Sequence, residues 1–194
     1  MPLILAIRNN NAIVVACDSS DADPSPAFGE CIVLPNHAVI LIAGNLAAVK
    51  GLVTDLMPEL KRQPGAAEVA QLIHAQLNLS IVPDIDQLKG RVEFIIAGFD
   101  EIHRELLPSM YYMDSAQTFD FVIVQQHSVA GGATAAITAL LNSQHDFSEQ
   151  NIDQMQVLAK ECISATKLKW PLAVLPYVKI GVVAADHTRI QIFQ

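Results

Sequence analysis

The chain has 194 residues, of which 52% are hydrophobic, 16% charged and only 6% aromatic. A folded chain of this length buries nearly 70% of the surface that its unfolded form exposes, enough for a full core, so residues 1–194 read as a single domain. Abundant Ile, Leu, Val and Ala with sparse charge excludes disorder, and a net charge of -8 argues against unspecific nucleic-acid binding and docking on anionic membranes.

No apolar stretch approaches the roughly 20 residues of a membrane span. The segment from Met1 to Arg8 has no basic residue before its apolar run, so it does not read as a signal peptide. Cys17, Cys31 and Cys162 are an odd number, widely spaced in apolar surroundings. That pattern points to reduced core thiols in a cytoplasmic protein rather than to a disulfide scaffold or a zinc site.

Along the chain, Leu3 to Arg8 and Ala12 to Asp18 are apolar runs separated by Asn9-Asn10-Asn11, a hairpin signal because Asn tolerates positive φ. Ser19 to Glu30, acidic and carrying Pro24 and Pro26, predicts a surface loop. Cys31 to Leu34 and Ala38 to Ala43 predict a second hairpin. Its consecutive Val39, Ile40, Leu41 and Ile42 call for a strand buried on both faces. Leu46 to Leu60 has helical spacing with Asn45 as N-cap, and Pro58 should kink that helix or end it early. After Pro64-Gly65, Val69 to Leu77 marks a second helix, and Ser80 to Lys89 a polar loop. Val92 to Phe99, Met110 to Met113 and Thr118 to Val124 predict three strands. Gly131-Gly132 opens a third helix running to about Asn142. Ser148 caps a fourth running to about Lys169, with Phe147 and Ile152 as a hydrophobic staple. Tyr177 to Ala184 and Thr188 to Phe193 close the chain as a hairpin. Strands in hairpin groups and helices in pairs define an α+β class with mostly antiparallel sheets, stacked and covered by helices on both outer sides.

This element order, with Ala16-Cys17-Asp18-Ser19, Ile40-Leu41-Ile42-Ala43-Gly44, Ile96-Ala97-Gly98-Phe99-Asp100, Tyr112-Met113-Asp114 and the double glycine before the third helix, resembles the proteasome β-subunit and its bacterial peptidase relatives. The likeness runs from residue 2 to about residue 193. It implies a four-layer αββα sandwich, assembly into rings, and the chemistry of an N-terminal nucleophile hydrolase. There a terminal hydroxyl attacks while its own α-amine takes the proton.

The resemblance also shows what is missing. Matching Asp18 to the family's active-site Asp puts the nucleophile at Pro2, an imino acid with no hydroxyl or thiol. Cys31 stands where the family has a Lys that depresses the pKa of the amine. Ala130-Gly131-Gly132-Ala133 replaces a block bearing hydroxyls, and Lys167-Leu168-Lys169-Trp170-Pro171 replaces a further Asp and Ser. Asp18 remains, with Gly44 as a backbone oxyanion donor. The expectation is a pseudoenzyme: a self-assembling ring, scaffold or regulatory protein whose partners are copies of itself or related β-type subunits, with a peptide or protein as ligand. No cofactor and no metal are expected. The alternative is an active threonine-type peptidase of the family, or another reaction using the Pro2 amine or Cys31 as a displaced nucleophile.

Other residues have plainer readings. Asp18, Asp21 and Asp23 form a solvated acidic loop rather than a Ca²⁺ site, which needs more oxygen ligands and a glycine-bearing turn. The histidines are never at metal-ligand spacing, and His74 and His103 read as surface or helix-flank residues. Gly131-Gly132 could receive an anion at a helix start, but close approach of helix to sheet explains it as well. Trp170 to Leu175 is unusually apolar for a connection and is expected at a subunit interface.

Overall fold

The computed structural model describes residues 3–19, 30–82, 85, 90–131, 137, 141, 146–169 and 177–193. Ten strands run in chain order as β1 (Ile4–Arg8), β2 (Ala12–Ser19), β3 (Cys31–Val33), β4 (Val39–Gly44), β5 (Val92–Ile102), β6 (Glu105–Asp114), β7 (Val122–Val124), β8 (His127–Ala130), β9 (Tyr177–Ala184) and β10 (Thr188–Phe193). Three helices are described: α1 (Leu46–Leu60), α2 (Ala66–Ser80) and α3 (Ile152–Lys169). The strands form two five-stranded sheets, β10-β9-β2-β1-β8 and β3-β4-β5-β6-β7. Every pairing is antiparallel.

Alternation along each strand sorts the apolar residues into separate packing layers. Ile4, Val15 and Cys17 of the first sheet meet Leu41, Ile95 and Ala97 of the second. The opposite face of the first sheet, with Leu5, Val14 and Ala16, packs on α3 through Met155, Ala159 and Ile163. The opposite face of the second, with Ile40, Phe94 and Ile96, packs on α1 and α2 through Val53, Val69 and Ile73. The unbroken apolar runs of the sequence are thus strands covered on both sides. Among the described residues, no helix is long and apolar enough to cross a membrane.

The β1–β2 turn closes on one side chain. Asn9 Oδ1 accepts from the Asn11 and Ala12 amides at 2.8 and 2.7 Å, the self-closing turn that Asn favours. The start of α2 is closed from the sheet: Asp100 Oδ1 accepts from the Ala67 amide at 2.8 Å, and its other oxygen accepts from the Tyr111 hydroxyl at 2.6 Å.

Several expectations need correction. β5 and β6 run well past Phe99 and begin well before Met110, pairing out to Ile102↔Glu105 around a two-residue turn. Its residues, His103 and Arg104, have φ of 54° and 70°, the positive values a type I′ hairpin requires. The polar stretch hides this because the hairpin tip projects into solvent. β8 was not anticipated; it leaves the edge of the second sheet and joins the first beside β1. Pro58 does not end α1 early; the helix continues to Leu60. The proline sits in the last turn, so only the bond to Thr54 is lost; that residue is exposed, and Leu56 and Leu60 are buried. The last helix is capped by Asn151, not Ser148. Gln154 N donates to Asn151 Oδ1 at 2.8 Å and Asn151 N donates to Gln154 Oε1 at 3.1 Å, a reciprocal capping box. The Ser148 amide instead donates to Asp146 Oδ1. Asp18, expected in a solvated acidic loop, belongs to β2, and it and the ends of the expected surface loop, Ser19 and Glu30, are all buried. Of the expected third helix only Ile137 and Leu141 are described; both are helical and buried. Asp21, Asp23 and the Trp170–Leu175 segment lie outside the described residues.

Replacing Asn151 by Ala removes half of the reciprocal cap. Urea unfolding is expected to show a loss of about 1 kcal/mol, and calorimetry a melting temperature lower by about 2–4 °C.

Candidate functional site

The residues singled out from the sequence gather toward one end of the stacked sheets, as the register shows. Ile4 pairs with both Cys17 and Ala130, so β1, β2 and the end of β8 meet there. In the second sheet Cys31 pairs with Leu41, while Ala43 pairs with Glu93 and Glu93 with Asp114.

Asp18 is fully buried. Its Oδ1 accepts from the Leu3 amide at 2.5 Å, and its own amide donates to the Leu3 carbonyl at 3.0 Å. The carboxylate therefore clamps the start of β1. Alternation puts Asp18 on the side of β2 that faces α3, with Val14 and Ala16, while Cys17 and Ser19 fall on the side that faces the second sheet. Pro2 lies outside the described residues.

On that inner side stands a compact polar group. Ser19 Oγ donates to Glu30 Oε2 at 3.0 Å, and the Glu30 carbonyl accepts from the Ile42 amide at 2.9 Å. Cys17 and Cys31 are both buried and reduced. The Cys17 thiol is pushed well above the ordinary range, first by its hydrogen bond with Cys31, then by burial and by the negative charge of Glu30; Lys179 pulls the other way. Lys179 comes from β9 through the pair Cys17↔Lys179. It is 1% exposed, and its ammonium has no hydrogen-bond partner among the described residues.

Gly44 ends β4 three residues beyond the Leu41 row, a distance of about 10 Å. Its φ of 93° turns the chain into α1, and a Cβ there would stand 1.9 Å from the Arg91 carbonyl. That carbonyl accepts from the Asn45 amide at 3.0 Å. Beside it lies a second, fully engaged network. Arg91 Nε donates to Asp114 Oδ1 at 2.9 Å, with a further bond from the same guanidinium to Oδ2. Glu93, also buried, accepts from the Tyr112 hydroxyl at 2.7 Å and from the Gly131 amide at 2.9 Å. Burial pushes the Asp114 carboxyl up, but bonds from Arg91, the Ala116 amide and Tyr112 outweigh it and hold the group below the usual carboxylate range.

The structure thus brings Cys17 and Cys31 together, sets Asp18 on the other face of its sheet, and leaves Gly44 further along β4. Ser19, Glu30, Glu93 and Lys179 were not singled out as site residues. For Glu30, Glu93 and Lys179 the signal is a charge beside or inside an otherwise apolar strand, as in Val92-Glu93-Phe94 and Val178-Lys179-Ile180. Chemically, the inner group can bind and neutralise charge. Its thiols and its serine hydroxyl are buried, and Cys17 stays protonated at neutral pH. Among the described residues, no three His, Cys, Asp or Glu side chains are placed to hold a metal ion. His74 Nδ1 lies 2.9 Å from the Phe119 carbonyl, and His103 sits in the β5–β6 turn.

Compared with models of known protein families and with curated proteins, the sequence matches none.

Two outcomes follow from this geometry. Gly44→Ala forces a methyl against backbone at a positive φ and is expected to cost about 2–4 kcal/mol in urea unfolding. Alkali should also destabilise the fold. Cys17, Cys162 (to about 11), Tyr111 and Tyr112 are all raised in the folded state. Their contribution is complete below the unfolded values and fades as pH rises through the folded ones. Under reducing conditions the urea midpoint should hold from pH 6 to about 8 and fall from about pH 9. Cys17→Ala with Cys162→Ala should flatten that fall.

Proposed function

We propose that the chain is a proteasome β-subunit-like protein with the four-layer αββα arrangement of the N-terminal nucleophile hydrolases, self-assembling and without threonine-type peptidase activity. It works in the cytoplasm as a scaffold or regulatory subunit, with copies of itself or related β-type chains as partners and a peptide or protein as ligand. Stacked antiparallel sheets, with α1 and α2 against one and α3 against the other, support the architecture.

The observation that carries the loss of hydrolysis is the state of the groups around Cys31 and β2. Ser19 Oγ is buried and donates to Glu30, while Cys17 and Cys31 are buried against each other. A nucleophile must reach its substrate as well as be activated by a base; buried as they are, these three do not meet the first condition. Pro2, where the resemblance asks for a hydroxyl, supplies only a ring nitrogen.

Incubation with a peptide epoxyketone or β-lactone, electrophiles that trap N-terminal nucleophiles, should leave the intact mass unchanged, and fluorogenic peptides should not be cleaved. A covalent adduct would establish an active hydrolase instead. Light scattering should give a multiple of the 21.0 kDa chain mass; a monomer at working concentration removes the scaffold role.

A further inference from the structure

The geometry points to Lys179 as the anchor of a binding site for a small monocarboxylate between the two sheets. This inference does not depend on self-assembly or on the family likeness.

Lys179 occupies the third position of β9, on the inner face beside Cys17. An ammonium removed from water costs several kcal/mol unless an acceptor or a counter-charge meets it. Among the described residues none does: its Nζ makes no hydrogen bond and enters no ion pair. Its neighbours explain why. The Cys17 and Cys31 thiols, packed in the same layer, are weak acceptors. Glu30 acts on the same Cys17 thiol as Lys179 does, but one of its oxygens accepts from Ser19 and its backbone is tied to Ile42 in the other sheet. Among the described residues, then, a buried cation and a buried anion act on the same thiol without forming an ion pair.

A carboxylate has the chemistry that this ammonium lacks. It offers acceptor oxygens to Nζ, and its single charge balances one lysine. A dianion such as phosphate would face Glu30 with charge left over. The gap between stacked sheets, about 10 Å from backbone to backbone, restricts the guest to a small one. The β2–β9 ladder ends at Ser19↔Tyr177, two residues beyond Lys179, so the lysine stands near the end of that ladder.

The test uses the whole chain and acetate as the probe. Sodium acetate, compared with sodium chloride at equal ionic strength, should raise the melting temperature saturably by about 2–4 °C. Equilibrium dialysis should find one radiolabelled acetate per chain. Lys179→Met should abolish both effects. Glu30→Gln, which keeps an acceptor for Ser19 but removes the opposing charge, should bind acetate several-fold more tightly. The inference is overturned if acetate acts no differently from chloride, if dialysis finds no stoichiometric acetate, or if Lys179→Met retains the response. Should that variant fail to fold, dialysis of the wild type and of Glu30→Gln decides the matter.

Discussion

Burial of the central strands on both faces is the constraint from which the rest of this structure follows. Ile4, Leu5, Ala6 and Ile7 of β1, and Val39 to Ala43 of β4, show no polar face to water at all. A sheet made of such strands cannot stand with one side solvated, so each stacks on the other and takes a helical cover outside. One set of alternate residues then forms the layer between sheets, and the other set meets the helices. Once that arrangement holds, any polar residue inside these strands is committed to the interior and must find a partner there.

The interior polar groups meet that demand unequally. Glu93 and Asp114 are met by Arg91, Tyr112 and backbone amides, and Glu93 reaches Gly131 at the end of β8, tying one sheet to the other. Ser19 and Glu30 make a second tie of the same kind from β2. Both lie toward the end of the stack where Asp18 clamps β1. With the bonds from Arg8 Nη1 to the Pro108 carbonyl and from Thr188 Oγ1 to the His37 carbonyl elsewhere in the stack, these bridges fix how the sheets are placed relative to each other; apolar packing alone specifies register less sharply. Among the described residues, Lys179 departs from this pattern.

The short motifs that stand out in the sequence have local structural duties. Asp100, the last residue of Ala97-Gly98-Phe99-Asp100, caps α2 from the sheet. Asp114 accepts from the Ala116 amide and closes the turn after β6. Gly44 turns β4 into α1 at a φ that a side chain tolerates poorly. A sequence pattern built from caps and turns reports on architecture, and chemistry has to be argued separately from the groups at the site.

Periodicity and turn chemistry were enough to mark nine of the strands, the first two helices and the last, the buried thiols and the need for cover on both sheet faces, because those features depend on neighbours along the chain. The hairpin beyond Phe99, the four-residue β8 and the cap at Asn151 escaped because each was decided by pairing or geometry against polar sequence that reads as loop. The candidate site was legible only as separate residues. That Asp18 turns toward α3 while Cys17 faces Cys31, and that a lysine from β9 arrives beside them, depends on strand register between segments more than 150 residues apart. Spacing along one chain carries no information about that register. It is set by which faces can be buried together, so the tertiary structure alone decided it.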